Sequence, residues 1–233
     1  MIRFRKQSSQ LRVLPLEDET KKSCHNNFEK NGPILPKSLR AIFSGPSSSG
    51  KTQAAISLIT ELNGVKFENI YIYCRTFEEQ EKYQTLLEIL KLVPEIRVFT
   101  HHSSDDIVPL NQVEHNSLVI FDDLIVDRQE PIKEYFAMGR HKGCDCFYMT
   151  QSFSRIPKAL IRDNANMICI FKSDSGSMRH IYDAYVNTDM SFEQFKRICS
   201  ECWKKKYGFL VIATDCEMGS GRYRKGFDQF LLC

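Results

Sequence analysis

The sequence has no apolar run near the roughly 20 residues of a membrane span, and Met1 to Lys6 lacks the apolar core of a signal peptide. A soluble intracellular protein is the expectation. Neither sign of charge dominates: 32 Lys and Arg stand against 29 Asp and Glu, for a formal net charge of +3. Composition therefore does not mark a nucleic-acid binder, and only local patches can. There is no internal repeat and no low-complexity tract beyond Ser47 to Ser49, so a repeat architecture is not expected. The nine cysteines do not pair evenly. Cys74, Cys146 and Cys169 sit in or beside apolar, strand-like runs where a thiol packs as a small hydrophobe, which favours the reduced state.

What is present is 233 residues with 42% hydrophobic content, enough for the core of one α/β domain. Gly45-Pro46-Ser47-Ser48-Ser49-Gly50-Lys51-Thr52 fits G-x-x-x-x-G-K-[ST] at every fixed position. Glycines let backbone N–H groups close around phosphate oxygens, Lys51 reaches the β and γ phosphates, and the Thr52 hydroxyl suits Mg²⁺. Leu39 to Ser44 reads as a short strand before the loop. Gln53 to Leu62 follows, with Ala54, Ala55, Leu58, Ile59 and Leu62 at helical spacing. A strand, loop and helix in that order aim a helix N-terminus at an anion. The loop is thus a candidate ATP site.

Residues 1–37 mix charges, serines and prolines and form an irregular arm; residues 38–233 are expected to form the ATPase domain, with a basic C-terminal tail. Strands are expected at Ala41 to Ser44, Ile70 to Cys74, Ile96 to Phe99, Leu118 to Phe121, Cys146 to Thr150, Met167 to Phe171 and Phe209 to Ala213. Helices are expected at Phe77 to Leu92, Pro131 to Met138 and Ser191 to Trp203. Uniformly apolar strands alternating with helices point to an α/β fold with a mainly parallel sheet flanked by helices.

Leu118 to Phe121 ends in Asp122 and Asp123, about 70 residues after the loop. At a strand end beside a phosphate loop, Asp122 supplies a hard oxygen for Mg²⁺, and Asp123 is left to orient or deprotonate an attacking water. Two carboxylates that merely end a strand are the plainer alternative. Cys146 to Thr150 ends in Gln151, which senses the γ-phosphate if this strand lies between the loop strand and the Asp122 strand. Otherwise it caps the following turn.

The phosphate loop, the Asp122-Asp123 strand, Gly139-Arg140-His141, the segment Tyr148 to Pro157 and Ile161 to Asn166 together resemble the poxvirus-type viral DNA-packaging ATPases. These belong to the FtsK/HerA superfamily of P-loop ATPases and also occur in large DNA viruses and virus-like DNA transposons. The resemblance covers about residues 38–230. It implies an additional strand between the Walker A and Walker B strands, and ATP with Mg²⁺ as cofactors. It further implies a homo-oligomeric ring threading double-stranded DNA, with a capsid or portal protein as partner, in the host cell or the virion. Under it Lys51 and Thr52 serve phosphate and Mg²⁺, Asp122 serves Mg²⁺, Asp123 serves the water and Gln151 the sensor. Many relatives carry Glu where Asp123 stands. Ring ATPases complete the site with an arginine from the neighbouring subunit; of Arg140, Arg155 and Arg162, Arg140 is the preferred candidate.

A small-molecule kinase uses the same loop, and a ring helicase or DNA pump shares every motif named; these are the alternatives. Cys199 and Cys202 have zinc-ligand spacing without a second pair, so packed thiols are expected. Lys204 to Lys206 with Arg222, Arg224 and Lys225 form a basic section that serves either DNA phosphates or solvation.

Overall fold

The computed structural model describes residues 30–124 and 128–232. The expected arm up to residue 29 lies outside them, as do residues 125–127 after the Asp122-Asp123 pair. Along the chain come β1 (Arg40–Ser44), α1 (Lys51–Thr60), β2 (Asn69–Cys74), α2 (Glu81–Lys91), β3 (Arg97–His101), β4 (Ser117–Asp122) and α3 (Glu130–Met138). Then follow β5 (Asp145–Thr150), β6 (Met167–Phe171), α4 (Ser175–Tyr185), α5 (Phe192–Cys202), β7 (Phe209–Ala213), β8 (Tyr223–Lys225) and β9 (Gln229–Phe230). Short 3₁₀ turns fill several connections.

One nine-stranded sheet carries the molecule, in the order β3-β2-β4-β5-β1-β6-β7-β8-β9. Strands β1 to β6 run parallel, while β7, β8 and β9 return antiparallel. β5 therefore lies between the loop strand β1 and the carboxylate strand β4, as the resemblance implies. The register sets Ser44 beside Thr150 and Asp122 beside Met149. The ends of β1, β4 and β5 thus share one edge of the sheet, the edge at which parallel α/β folds bind ligands.

Apolar side chains alternate to the two faces of each strand, and a core forms on both. On one face α1 and α2 contribute Ala54, Ala55, Leu58, Ile59, Tyr83, Leu86 and Leu90 against Phe43, Ile72 and Ile120. On the other, α3, α4 and α5 contribute Ile132, Tyr135, Phe136, Ile181, Phe195 and Cys199 against Tyr148, Ile168 and Ile212. Local chemistry starts the helices where it should. Pro stands in the first turn of α3, and Ser191 and Gln194 form a reciprocal capping box at α5, a device worth about 1 kcal/mol. Three regions depart from the expectation. Helix α2 begins at Glu81 rather than Phe77, and neither α4 nor the strands β8 and β9 were anticipated.

Residues 30–37 carry no helix or strand but are fastened to the body. Lys30 Nζ lies 3.1 Å from Asp145 Oδ2, Asn31 Nδ2 donates to the same oxygen at 3.2 Å, and Leu39 N–H donates to Asp145 Oδ1 at 2.7 Å. Burial raises the Asp145 carboxyl while the Lys30 ammonium draws it back down. Arg222 pairs with Asp189, and the buried Arg224 donates to the carbonyls of Gly221 and Ile34, each at 2.6 Å. Both arginines of the basic C-terminal section are therefore spent on folding. No helix among the described residues is long and apolar enough to cross a membrane. Cys199 and Cys202 are buried free thiols, and no metal-binding cluster of His, Cys, Asp and Glu occurs among the described residues.

Candidate nucleotide site

The loop between β1 and α1 is shaped by close packing and by backbone sign. A Cβ at Gly45 would lie 2.5 Å from Phe171 Cβ, so only glycine fits there. Gly50 holds φ at 105° and Ser48 at 59°; the first suits glycine, and the second places a hydroxyl residue in the left-handed region at a cost typical of functional loops. Gly45 N–H donates to Thr150 O at 3.2 Å, tying the loop to the end of β5. Gly50 is the N-cap of α1 and offers its first-turn amides no side-chain partner. These donors face the anion expected at a helix N-terminus.

A cleft of about 560 Å³ opens at this edge. It is lined by Ser47 to Thr52, by Asp122, Asp123 and Gln151, and by Thr76 to Lys82 in part. Lys51, Thr52, Asp122, Asp123 and Gln151, drawn from three separate stretches of sequence, thus meet in one place. Lys51 Nζ folds back onto the loop and donates to Gly45 O at 2.8 Å and Pro46 O at 2.9 Å. Burial lowers its pKa, while Asp122 and Asp123 pull the other way.

Asp122 is buried at the end of β4. Its Oδ2 accepts a 2.8 Å hydrogen bond from the Tyr83 hydroxyl on α2. Burial pushes the carboxyl up to about 6, against the Tyr83 hydrogen bond and the Lys51 charge, which lower it. Asp123 takes a left-handed backbone with φ of 58°, held by its N–H donating to Met149 O at 3.1 Å. That turn sends two successive carboxylates into the cleft. Gln151 Nε2 donates to Asp123 Oδ2 at 3.0 Å, so the amide reaches the carboxylate and not merely its own turn.

The donor set fits a magnesium nucleotide. The Thr52 hydroxyl and the Asp122 carboxylate are hard oxygens lining one cleft. Asp122 carries a buried charge that a cation would offset. Ser49 Oγ is buried without a hydrogen-bond partner inside the loop, a donor that a phosphate oxygen would satisfy.

The arginines are placed differently. Arg140 lies in the 3₁₀ turn Gly139–Lys142, before β5, and its Nε donates to His141 at 3.3 Å. The whole of β5, about 20 Å of strand, separates it from Gln151, so it does not join the site of its own chain. Arg155 is exposed in the turn Phe153–Arg155 just after Gln151. Arg162 stacks on the Phe153 ring at 5.3 Å. Tyr83 is the site residue that sequence reasoning missed: it reads as one more core residue of α2, and only the fold brings it to Asp122.

No protein-family model matches the sequence, and no curated protein matches it. Solved structures match by fold. The chain is similar to the genome packaging NTPase B204 from Sulfolobus turreted icosahedral virus 2 in complex with AMP, with a TM-score of 0.53 at 15% identity over 76% of this chain and 94% of that one. It is similar also to B204, the DNA-packaging ATPase from Sulfolobus Turreted Icosahedral Virus, with a TM-score of 0.54 at 15% identity over 80% and 95% of the two chains. EssC (ATPases 2 and 3) from Geobacillus thermodenitrificans gives 0.50 at 12% identity over 75% of this chain and 37% of that one. The likeness is one of architecture, and the chain has the P-loop NTPase fold of these ATPases.

Proposed function

We propose that this chain is an ATP-hydrolysing motor of the FtsK/HerA superfamily that drives double-stranded DNA, packaging a viral or virus-like genome. The observation that carries the hydrolytic part is the meeting of Lys51, Asp122, Asp123 and Gln151 in one cleft, with Gln151 bonded to Asp123. The DNA part is supported by the fold shared with two packaging NTPases and by the packaging-type motifs around Gln151 and Asn166.

Each residue has a role that its position allows. The loop amides and Lys51 grip the β and γ phosphates once Lys51 leaves the carbonyls of Gly45 and Pro46. Thr52 and Asp122 hold Mg²⁺, which when bound supplies neutralising charge on the phosphates. Asp123 orients the attacking water and accepts its proton. Gln151, neutral and bonded to Asp123, contacts the γ-phosphate and reports its loss to the turn that follows β5. Positive charge on that phosphate comes from a neighbouring subunit in a ring, with Arg140 as the candidate; it stands away from the site of its own chain, as an arginine acting across an interface does. A capsid or portal protein is the further partner.

The test is the fate of the γ-phosphate. Wild-type protein with Mg²⁺ and ATP should release inorganic phosphate, and Lys51→Ala should not. Transfer of phosphate to an added nucleoside, with none released to water, would identify a kinase instead.

A further inference from the structure

Residues Lys205 to Gly208 form a tight turn ahead of β7, closed by Gly208 N–H donating to Lys205 O at 3.0 Å. Tyr207 occupies its third position with φ of 64°, a place that favours glycine or asparagine. A bulky aromatic there is a genuine backbone outlier. Its side chain is not buried in recompense: Tyr207 is 55% exposed. Folding alone gives no reason for a tyrosine at this position.

The ring lies against the phosphate loop. A Cβ at Gly50 would stand 3.1 Å from Tyr207 Cβ and 3.3 Å from the ring carbon Cδ1. Lys206 Nζ stands over the ring, 4.9 Å from its centroid, a cation–π contact whose place a planar base can take.

The sheet order gives this position a direction. Asp122 and Asp123 end β4 and Gln151 follows β5, both on one side of the loop strand β1; β6 and β7, with Tyr207 just before β7, lie on the other. A nucleotide whose γ-phosphate faces the carboxylates and Gln151 runs back across the loop with its base on the β7 side. Tyr207 is an exposed aromatic on that side, and it is the one against Gly50.

We propose that the Tyr207 ring is the platform on which the nucleobase of the bound triphosphate stacks, and that the strained turn exists to hold it beside Gly50. The proposal rests on the loop being a triphosphate site. The experiment is calorimetric titration of the full chain with ATP and, separately, with tripolyphosphate, which has the phosphates but no base. Wild type, Tyr207→Gly and Tyr207→Phe are compared, each with its melting temperature. Tyr207→Gly relieves the left-handed strain, so its melting temperature should equal or exceed that of wild type. Its ATP affinity should fall roughly tenfold, the scale of base stacking on an aromatic, with tripolyphosphate affinity unchanged. Tyr207→Phe should bind ATP as wild type does. Wild-type ATP affinity in Tyr207→Gly, or equal losses for ATP and tripolyphosphate, would overturn the platform while leaving the triphosphate site standing. Wild type that binds neither ligand would overturn both.

Discussion

Gln151 donates to Asp123 at 3.0 Å across the ends of β5 and β4, so the two side chains proposed as sensor and base form one unit. Asp123→Asn should keep ATP binding but lower turnover by about 10² to 10⁴, the range of general acid–base catalysis. Gln151→Ala frees the carboxylate to turn away and should also lower turnover with little change in binding. Phosphate release measured beside equilibrium binding separates these effects; loss of binding in Asp123→Asn would assign the residue to nucleotide grip rather than to water.

Tyr83 holds Asp122 at 2.8 Å from within the α2 core. Tyr83→Phe preserves the packing against Phe77, whose ring lies 5.2 Å away, and removes only the donor. Leaving a buried acceptor short of a partner costs about 1 to 3 kcal/mol. Binding of a non-hydrolysable ATP analogue should then need more Mg²⁺ for half-saturation, while affinity in the absence of Mg²⁺ stays the same. An unchanged Mg²⁺ requirement would make the tyrosine a packing residue.

The sign of the Asp122 shift sets a pH dependence. Its folded pKa is about 6 against an ordinary 3.8, so between these values the folded state holds more proton than the unfolded one. Its contribution to stability is fully present below 3.8 and lost as pH rises through 6. Asp122→Asn removes that loss, and at pH 8 without nucleotide the variant should be more stable by on the order of 3 kcal/mol. The gain should vanish near pH 4, in denaturant unfolding followed at both pH values. The same variant should lose Mg²⁺-dependent nucleotide binding.

Much of the fold was legible because it is written in short-range pattern. Seven strands and the loop lie where apolar runs and the glycine spacing put them, and the placement of β5 between β1 and β4 was implied by the family resemblance. Helix α4 escaped because Ser175-Gly176-Ser177 opens it like a loop. Its signal was Asp174, whose side chain accepts from Gly176 and Ser177 N–H, followed by Met178, Ile181 and Tyr185 at helical spacing. Strands β8 and β9 escaped because Tyr223-Arg224-Lys225 carries no strand pattern of its own and is held by pairing with β7. Tyr83 and Tyr207 were out of reach for a different reason. The Tyr83 partner lies 39 residues away, and a positive φ at tyrosine leaves no trace in composition.

The proposed ring is tested through Arg140. Arg140→Ala and Lys51→Ala should each lack activity alone, and mixed rings should regain a fraction of it, since an intact arginine then meets an intact loop across some interfaces. Absence of rescue in rings shown to be mixed would count against Arg140 and direct attention to Arg155, which lies on the nucleotide edge of the sheet.

The most direct measurement is the initial rate of ATP hydrolysis by the full chain with and without long duplex DNA, over a series of salt concentrations. DNA should raise the rate regardless of its sequence, and the stimulation should fall as salt rises, because a motor gripping the phosphate backbone releases counterions on binding. A rate indifferent to DNA at every salt concentration would contradict the motor.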